Sequence, residues 1–583
     1  MNDDIDRKNA IERVNDLSEQ RRKLFPLTPE KTLDAILDSP YPAALVHSFA
    51  KEDFYFLIHD IGLEDSHLLL SLASDKQWEY IVDLEVWEKD RIEMTSVTRW
   101  FDLLFKVDPH RFIKWFLAQK TEFMEFYLFK NIEVKIRETD QDPSDFSDGF
   151  FTLDDTLYVR FLDDPFGFGA GEHDAERILA EQRDSFLSRF FKALADFDHV
   201  TYQKMLLESS GIIPAESEEE AYRLRNVRLA EKGFLPHEDA IGIYQPLDVR
   251  KFAKQTTKFT TTDSDRKLFP PVPIYSTGML EEENLFTDSL KILKRDDVLE
   301  QIEGEFAGMC NLIIAADQKT IRERDELRSV VKKASGYISI GLERLTKDNG
   351  EIDVNRCAFY LQKYPLASIF KVGYGLALEL KWRAEKWRKQ SWFEKEGLPL
   401  SFWGEEWLGV LGGLLIKKPL FFDNYRTGLL YREFVSFGDI EETENTLNQI
   451  EAFDDFLAET KIKPVPIEAS LLTHKNLLLT FWARNYLALS KDLFQLSFAE
   501  FQRFFNDLWD SKGKPRKICL SMKTSFMNFL SDQAGLTSSE ISERVGHALE
   551  DLFNELEKEY GEVSRKDLDP RYTLLFMIDV KTS

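Results

Sequence analysis

The chain has 583 residues, a formal net charge of −27, 43% hydrophobic and 31% charged side chains. That length predicts two to four domains rather than one core, and that balance excludes wholesale disorder. The acid is uneven: residues 1–250 hold 51 acidic and 30 basic side chains, the other 333 hold 52 and 46, so the first part should repel polyanions and anionic membranes.

In chain order, the start is polar, without the apolar core of a secretory leader. Helix signals follow at once. Thr28 and Pro29 read as N-cap and first helical residue, Ser74 and Gln77 as a capping box, and Asp108 and Pro109 as a second cap–proline pair. Between them, the stretches from Leu45 and Leu69 align at a shift of 24. Leu45 and Val46 fall on Leu69 and Leu70, Phe54 on Trp78, Leu57 and Ile58 on Ile81 and Val82. A period in the twenties predicts stacked short helices.

From Asn131 the period changes to two, which predicts a small antiparallel sheet inserted at about 131–162. Its loop carries Asp140, Asp142, Asp145 and Asp148, oxygen ligands of the kind hard cations take. The spacing fails the calcium-loop pattern, because no Gly holds position 6 and Phe151 stands where a bidentate Glu belongs. A solvated loop turned by Pro143 is the favoured reading, with no metal.

The sheet leads into "LDDPFGFGAGEHDAERILAEQ", where Gly167, Gly169 and Gly171 precede a helix expected over 174–196. Strand, glycine turn and helix is the order of a phosphate-binding loop. Glu172 takes the place of the third glycine, however, and Asp163, Asp164 and Asp174 crowd the helix start with carboxylates that oppose a phosphate. The reading is a tight turn and no cofactor. His173 within it, and His237 in "PHED", each lie beside carboxylates and are the candidates for a general base. Two helices hinged at Gly233 and Pro236 follow.

Residues 251–280 are rich in Thr, Lys, Ser and Pro and predict a linker. Beyond it, "KWRAEKWRKQSW" sets Lys381, Arg383, Lys386, Arg388 and Lys389 among Trp382, Trp387 and Trp392; "SKGKPRK" adds Lys512, Lys514, Arg516 and Lys517. Cations interleaved with aromatic rings can hold single-stranded nucleic acid. On a helix those tryptophans spread around the axis, which favours packing with paired charges. Ser497 with Glu500 and Thr537 with Glu540 read as capping boxes, and "RYTLLFMI" as a final strand or plug. The longest apolar run, residues 407–416, is about half of a membrane span. Three distant cysteines exclude a disulfide framework and fit a reducing cytoplasm.

Four strings, "LIHDIGLEDSHLLLSLASDKQWEYIVDLEVWEKD", "GFFTLDDTLYVRF", "RNVRLAEKGFLPHEDAIGIYQPLD" and "LDPRY", resemble a bacterial family of unknown function, mainly deltaproteobacterial, nearly end to end. That resemblance implies no residue role. The 45–84 repeats also resemble the helical N-terminal domain of MgtE-type magnesium transporters, over less than a tenth of the chain, which implies a stack of short helices.

The expected fold is mainly α. A helical-repeat-like stack (1–130) is followed by the β insertion with further helices (131–250), the linker (251–280) and a second helical domain (281–583). The expected function is that of a cytoplasmic interaction or scaffold protein with protein partners and no recognisable active site. The alternatives are nucleic-acid association through the basic–aromatic surface, and an enzyme with a His/carboxylate site.

Overall fold

The computed structural model describes residues 2–88, 90–163, 174–252, 254, 257–258, 272–319, 321, 323–347, 351–464, 472–490, 494–510 and 515–579. The glycine turn with His173, and Lys512 and Lys514, lie outside the described residues. The fold is mainly helical with only small sheets. Contacts divide the chain into two units. The first comprises Met1–Gln245, Ala253–Ile338 and Thr346–Phe370; the second comprises Pro246–Phe252, Ser339–Leu345 and Lys371–Ser583.

The first unit opens with helices α1 (Asn2–Leu24) and α2 (Pro29–Leu37). Then come α3 (Pro42–Ser48) and α4 (Lys51–Ile61), followed by α5 (His67–Leu72) and α6 (Asp75–Glu85). The 24-residue repeat is visible in these bounds, since α4 shifted by 24 residues is α6, and each pair is a short helix followed by one of 11 residues. Like packs on like, α3 on α5 and α4 on α6. The equivalent positions Phe54 and Trp78, Val46 and Leu70, Ile58 and Val82 are all buried. The Ser74 hydroxyl and the Gln77 side chain complete the expected capping box. Thr28 occupies the N-cap of α2, but its hydroxyl makes no capping bond, leaving Pro29 alone to set the helix start.

A two-residue hairpin, β1 (Trp87–Glu88) with β2 (Arg91–Ile92), leads to α7 (Met94–Val107), α8 (Pro109–Gln119) and α9 (Thr121–Asn131). These break the repeat and close a core of rings, in which Trp78 meets Trp115 edge-on at 5.9 Å and Phe112 meets Phe186 edge-on at 6.2 Å. The inserted sheet is where it was expected. Strand β3 (Ile132–Ile136) pairs antiparallel with β5 (Leu157–Phe161), Val134 opposite Val159, and β4 (Phe151–Thr152) lies on the far side of β5. Helices α10 (Asp174–Phe197), α11 (His199–Ser209) and α12 (Pro214–Ala230) follow. Residues 274–275 return to this body, because the Asp53 carboxylate on α4 accepts the N–H groups of Ile274 and Tyr275 at 2.9–3.1 Å.

The second unit packs helices around Trp482, which meets Phe504 edge-on at 4.9 Å and Phe526 at 4.9 Å. Both boxes expected here are formed, at Ser497 with Glu500 and at Thr537 with Glu540. The "RYTLLFMI" segment ends in a two-residue strand, Ile578–Asp579, parallel to Leu496–Ser497. His474 is enclosed by rings, parallel to Trp407 at 4.8 Å, and burial lowers its pKa to about 3, so it stays neutral.

Candidate functional site

Helix α12 has the sequence PAESEEEAYRLRNVRLA, with one fully buried side chain, Leu229, so no apolar stripe holds it to the body. Charge does instead. On its inner side Arg228 donates from Nε and Nη2 to the two carboxylate oxygens of Asp83 on α6 at 2.6 and 2.8 Å, and Arg225 Nε donates to the Asp83 carbonyl at 2.6 Å. The buried Lys120 ammonium completes the cluster at 2.8 Å from Asp83. Burial alone would push the Asp83 carboxyl up; the Arg228 hydrogen bonds and the Lys120 charge outweigh it and hold Asp83 below the usual carboxylate range. Glu218 accepts the Ile92 N–H at 2.9 Å, and Tyr222 packs on Trp87 at 5.6 Å between ring centres.

The other side of α12 is left to line a groove of about 790 Å³. Its far wall is Leu235, Pro236 and Asp239, reached through a turn at Gly233. Gly233 has φ +86°, and a Cβ there would lie 2.4 Å from the Gly308 carbonyl oxygen, so conformation and space both demand glycine. The groove has an apolar floor from Val227, Ala230 and Leu235. Its carboxylates are Glu216, Glu219, Glu220 and Asp239, against one guanidinium, Arg223, already bidentate to Glu220 at 2.8 and 2.6 Å. Val227 is 56% exposed and Leu224, a turn away, 39%. Apolar side chains rimmed by like charge favour an apolar ligand of opposite charge.

The residues singled out from sequence are dispersed. His237 begins a short helix at the end of the groove, but its Nδ1 lies 3.4 Å from the Ala315 carbonyl oxygen. Asp142 and Asp145 cap each other across the turn at Pro143, each accepting a backbone N–H, while Asp140 and Asp148 are exposed. Among the described residues no group of three His, Cys, Asp or Glu side chains is placed to hold a metal ion.

Of the basic–aromatic residues, 381–389 fall on the end of the helix Leu366–Gln390 and Trp392 begins the next short helix. Lys381 is buried, donating to Glu385 at 2.6 Å and to the Ile416 carbonyl at 2.7 Å; Arg383 pairs with Glu451 and Arg388 with Glu394. Trp387 stacks on Phe393 at 5.9 Å, and Arg516 donates to the carbonyls of Gly561 and Val563. Trp382, Lys386, Lys389 and Lys517 are exposed.

A histidine–carboxylate pair does form at a place the sequence did not single out. His59 Nε2 lies 3.2 Å from Glu85 Oε1, which also accepts the Tyr55 hydroxyl at 2.6 Å, and Trp100 Nε1 donates to Glu85 Oε2 at 3.3 Å. These side chains are almost fully enclosed, and they do not line the groove. Such a network orders the core between α4, α6 and α7. The groove itself had a sequence signal in the acid run ESEEE at 216–220.

Residues 9–579 match a family of unknown function, DUF6178. The chain belongs to that family. No curated protein and no solved structure matches it. DUF6178 carries no assigned activity to transfer, so the chemistry of the groove stands on its own residues. Among the described residues no helix is long and apolar enough to cross a membrane.

Proposed function

We propose that this DUF6178 chain is a cytoplasmic interaction protein whose α12 groove takes a basic, amphipathic segment of a protein partner. The observation that carries this is the groove's composition: four carboxylates, one paired guanidinium and an apolar floor, on a helix anchored from behind by Asp83. A segment with lysines on one face and leucines on the other would meet both parts, in the manner of a helix laid in a groove. The excess of acid over residues 1–250 adds long-range attraction for such a partner.

The test is a titration of the full chain with a labelled amphipathic peptide of Lys and Leu, beside a Glu/Leu peptide of the same pattern. The first should bind, more weakly at high salt, and the second should not. Glu216→Lys with Glu219→Lys should weaken binding about tenfold or more with the fold intact. Equal binding of both peptides, or no effect of the charge reversal, defeats the proposal. The exposed Trp382 with Lys386 and Lys389 supports a second reading, single-stranded nucleic acid. Salt-dependent binding of an oligonucleotide that Trp382→Ala abolishes would favour it.

A further inference from the structure

The end of α1 places Arg21, Arg22 and Lys23 in its last turn, where cations complement the helix dipole. They then part company. Lys23 reaches back to the exposed Glu19 at 2.7 Å, and Arg22 forms a two-pronged pair with Glu303 at 3.0 and 2.9 Å. Arg21 turns inward and is only 7% exposed. Its Nε and Nη1 are buried and meet no acceptor among the described residues.

A buried guanidinium is expensive unless its N–H groups are satisfied. Arg21 instead lines a partly open cavity of about 50 Å³ within the first unit. Most of the wall is apolar, from residues such as Leu24, Phe25, Phe56, Leu57 and Met279. Two carboxylates also reach the cavity, and both are engaged elsewhere. Asp53 accepts the N–H groups of Ile274 and Tyr275, and Asp60 faces Arg324 at 3.5 Å. Arg324, which lines the cavity as well, also has a buried Nε without an acceptor among the described residues. Arg21 and Arg324 thus line the cavity together with Asp53 and Asp60, and Asp53, Glu300 and Glu303 act on the Arg21 charge from nearby, but among the described residues no acceptor meets its Nε and Nη1.

We propose that this cavity binds the carboxylate of a short monocarboxylic acid, of acetate to propionate size, with Arg21 as its anchor. Size sets one limit, since 50 Å³ holds about three or four water molecules or a carboxylate with one or two carbons. Charge sets the second, because Asp53 and Asp60 line the same cavity and repel a dianion such as phosphate more than a monoanion. The apolar wall sets the third: it suits an alkyl end and offers water few partners. A charge-assisted hydrogen bond to guanidinium then supplies the affinity.

The experiment titrates the full chain with sodium propionate against sodium chloride at matched ionic strength, by calorimetry and by carbon-13 line broadening of labelled propionate. Saturable binding is expected with propionate alone. Arg21→Met should weaken it about tenfold or more, the worth of a hydrogen bond to a charged group. Leu57→Trp, which fills the space and keeps Arg21, should abolish it, and this variant carries the test should Arg21→Met fail to fold. The proposal is overturned if propionate gives no more saturable signal than chloride, which would leave ordered water as the partner of Arg21. It is overturned equally if inorganic phosphate binds in place of propionate, or if either folded variant binds like the unaltered chain.

Discussion

Two buried arginine–carboxylate neighbourhoods lie in the first unit, and they are built to opposite ends. Around Asp83, each carboxylate oxygen meets a cation at 2.6–2.8 Å, and the cations come from two places, Lys120 just beyond α8 and Arg228 on α12, while Arg225 of α12 donates to the Asp83 carbonyl. Around Arg21, the carboxylates spend their acceptors on backbone N–H groups or on Arg324, and the guanidinium faces a cavity. The first arrangement holds a helix in place; the second leaves two guanidinium N–H groups of Arg21 without an acceptor among the described residues. Burial of a charge thus says little until the acceptors around it have been assigned one by one.

The comparison is tested hardest by Asp83→Ala. It strands Lys120 and Arg228 in the interior and should cost about 3–5 kcal/mol in chemical denaturation, with α12 the first element to lose amide protection. A loss below about 1 kcal/mol would mean the cluster is hydrated and the contrast false.

A pH series separates the two next. Asp83 is held low, so its contribution is present above the unfolded carboxyl value near 4 and is lost as pH falls through its lower folded value. Burial pushes Asp53 up to about 7, despite the N–H groups of Ile274 and Tyr275. Its contribution is therefore present below about 4 and is lost as pH rises through about 7. Asp53→Asn should flatten stability between pH 4 and 8 and leave the acid limb unchanged; a steeper acid limb would refute that assignment.

The smallest effect is expected at Arg21. Arg21→Met should leave stability without added ligand within about 1 kcal/mol, or raise it, since its buried Nε and Nη1 donate to no acceptor among the described residues. A loss as large as that of Asp83→Ala would show that Arg21 has a structural partner after all.

What could be read from sequence was local. The boxes at Ser74, Ser497 and Thr537 span three residues, and the 24-residue repeat of α3–α4 and α5–α6 needs only neighbouring helices to stack. The antiparallel pairing of β3 with β5 followed from alternation in two short runs. The ion cluster was not legible, because Asp83 meets Lys120 and Arg228 at separations of 37 and 145 residues. The basic–aromatic run shows the same limit: its composition suggests a polyanion surface, while the partners of Lys381 and Arg383, at Ile416 and Glu451, lie 35 and 68 residues away. Conversely, the acid run at 216–220 went unread, because its meaning depends on the turn at Gly233 that gives it a wall to face.

The tie between Asp53 and residues 274–275 bears on how the chain is made. The partners of Asp53 are 221 and 222 residues downstream. At about 5–20 residues per second, a ribosome needs roughly 10–45 s to supply them. Until then, α4 leaves the exit tunnel with a carboxylate that cannot yet be enclosed, while its repeat partner α6 is already available to pack. The helix stack can therefore settle early, while the cavity wall that Ile274 and Tyr275 supply closes only once those residues have been made.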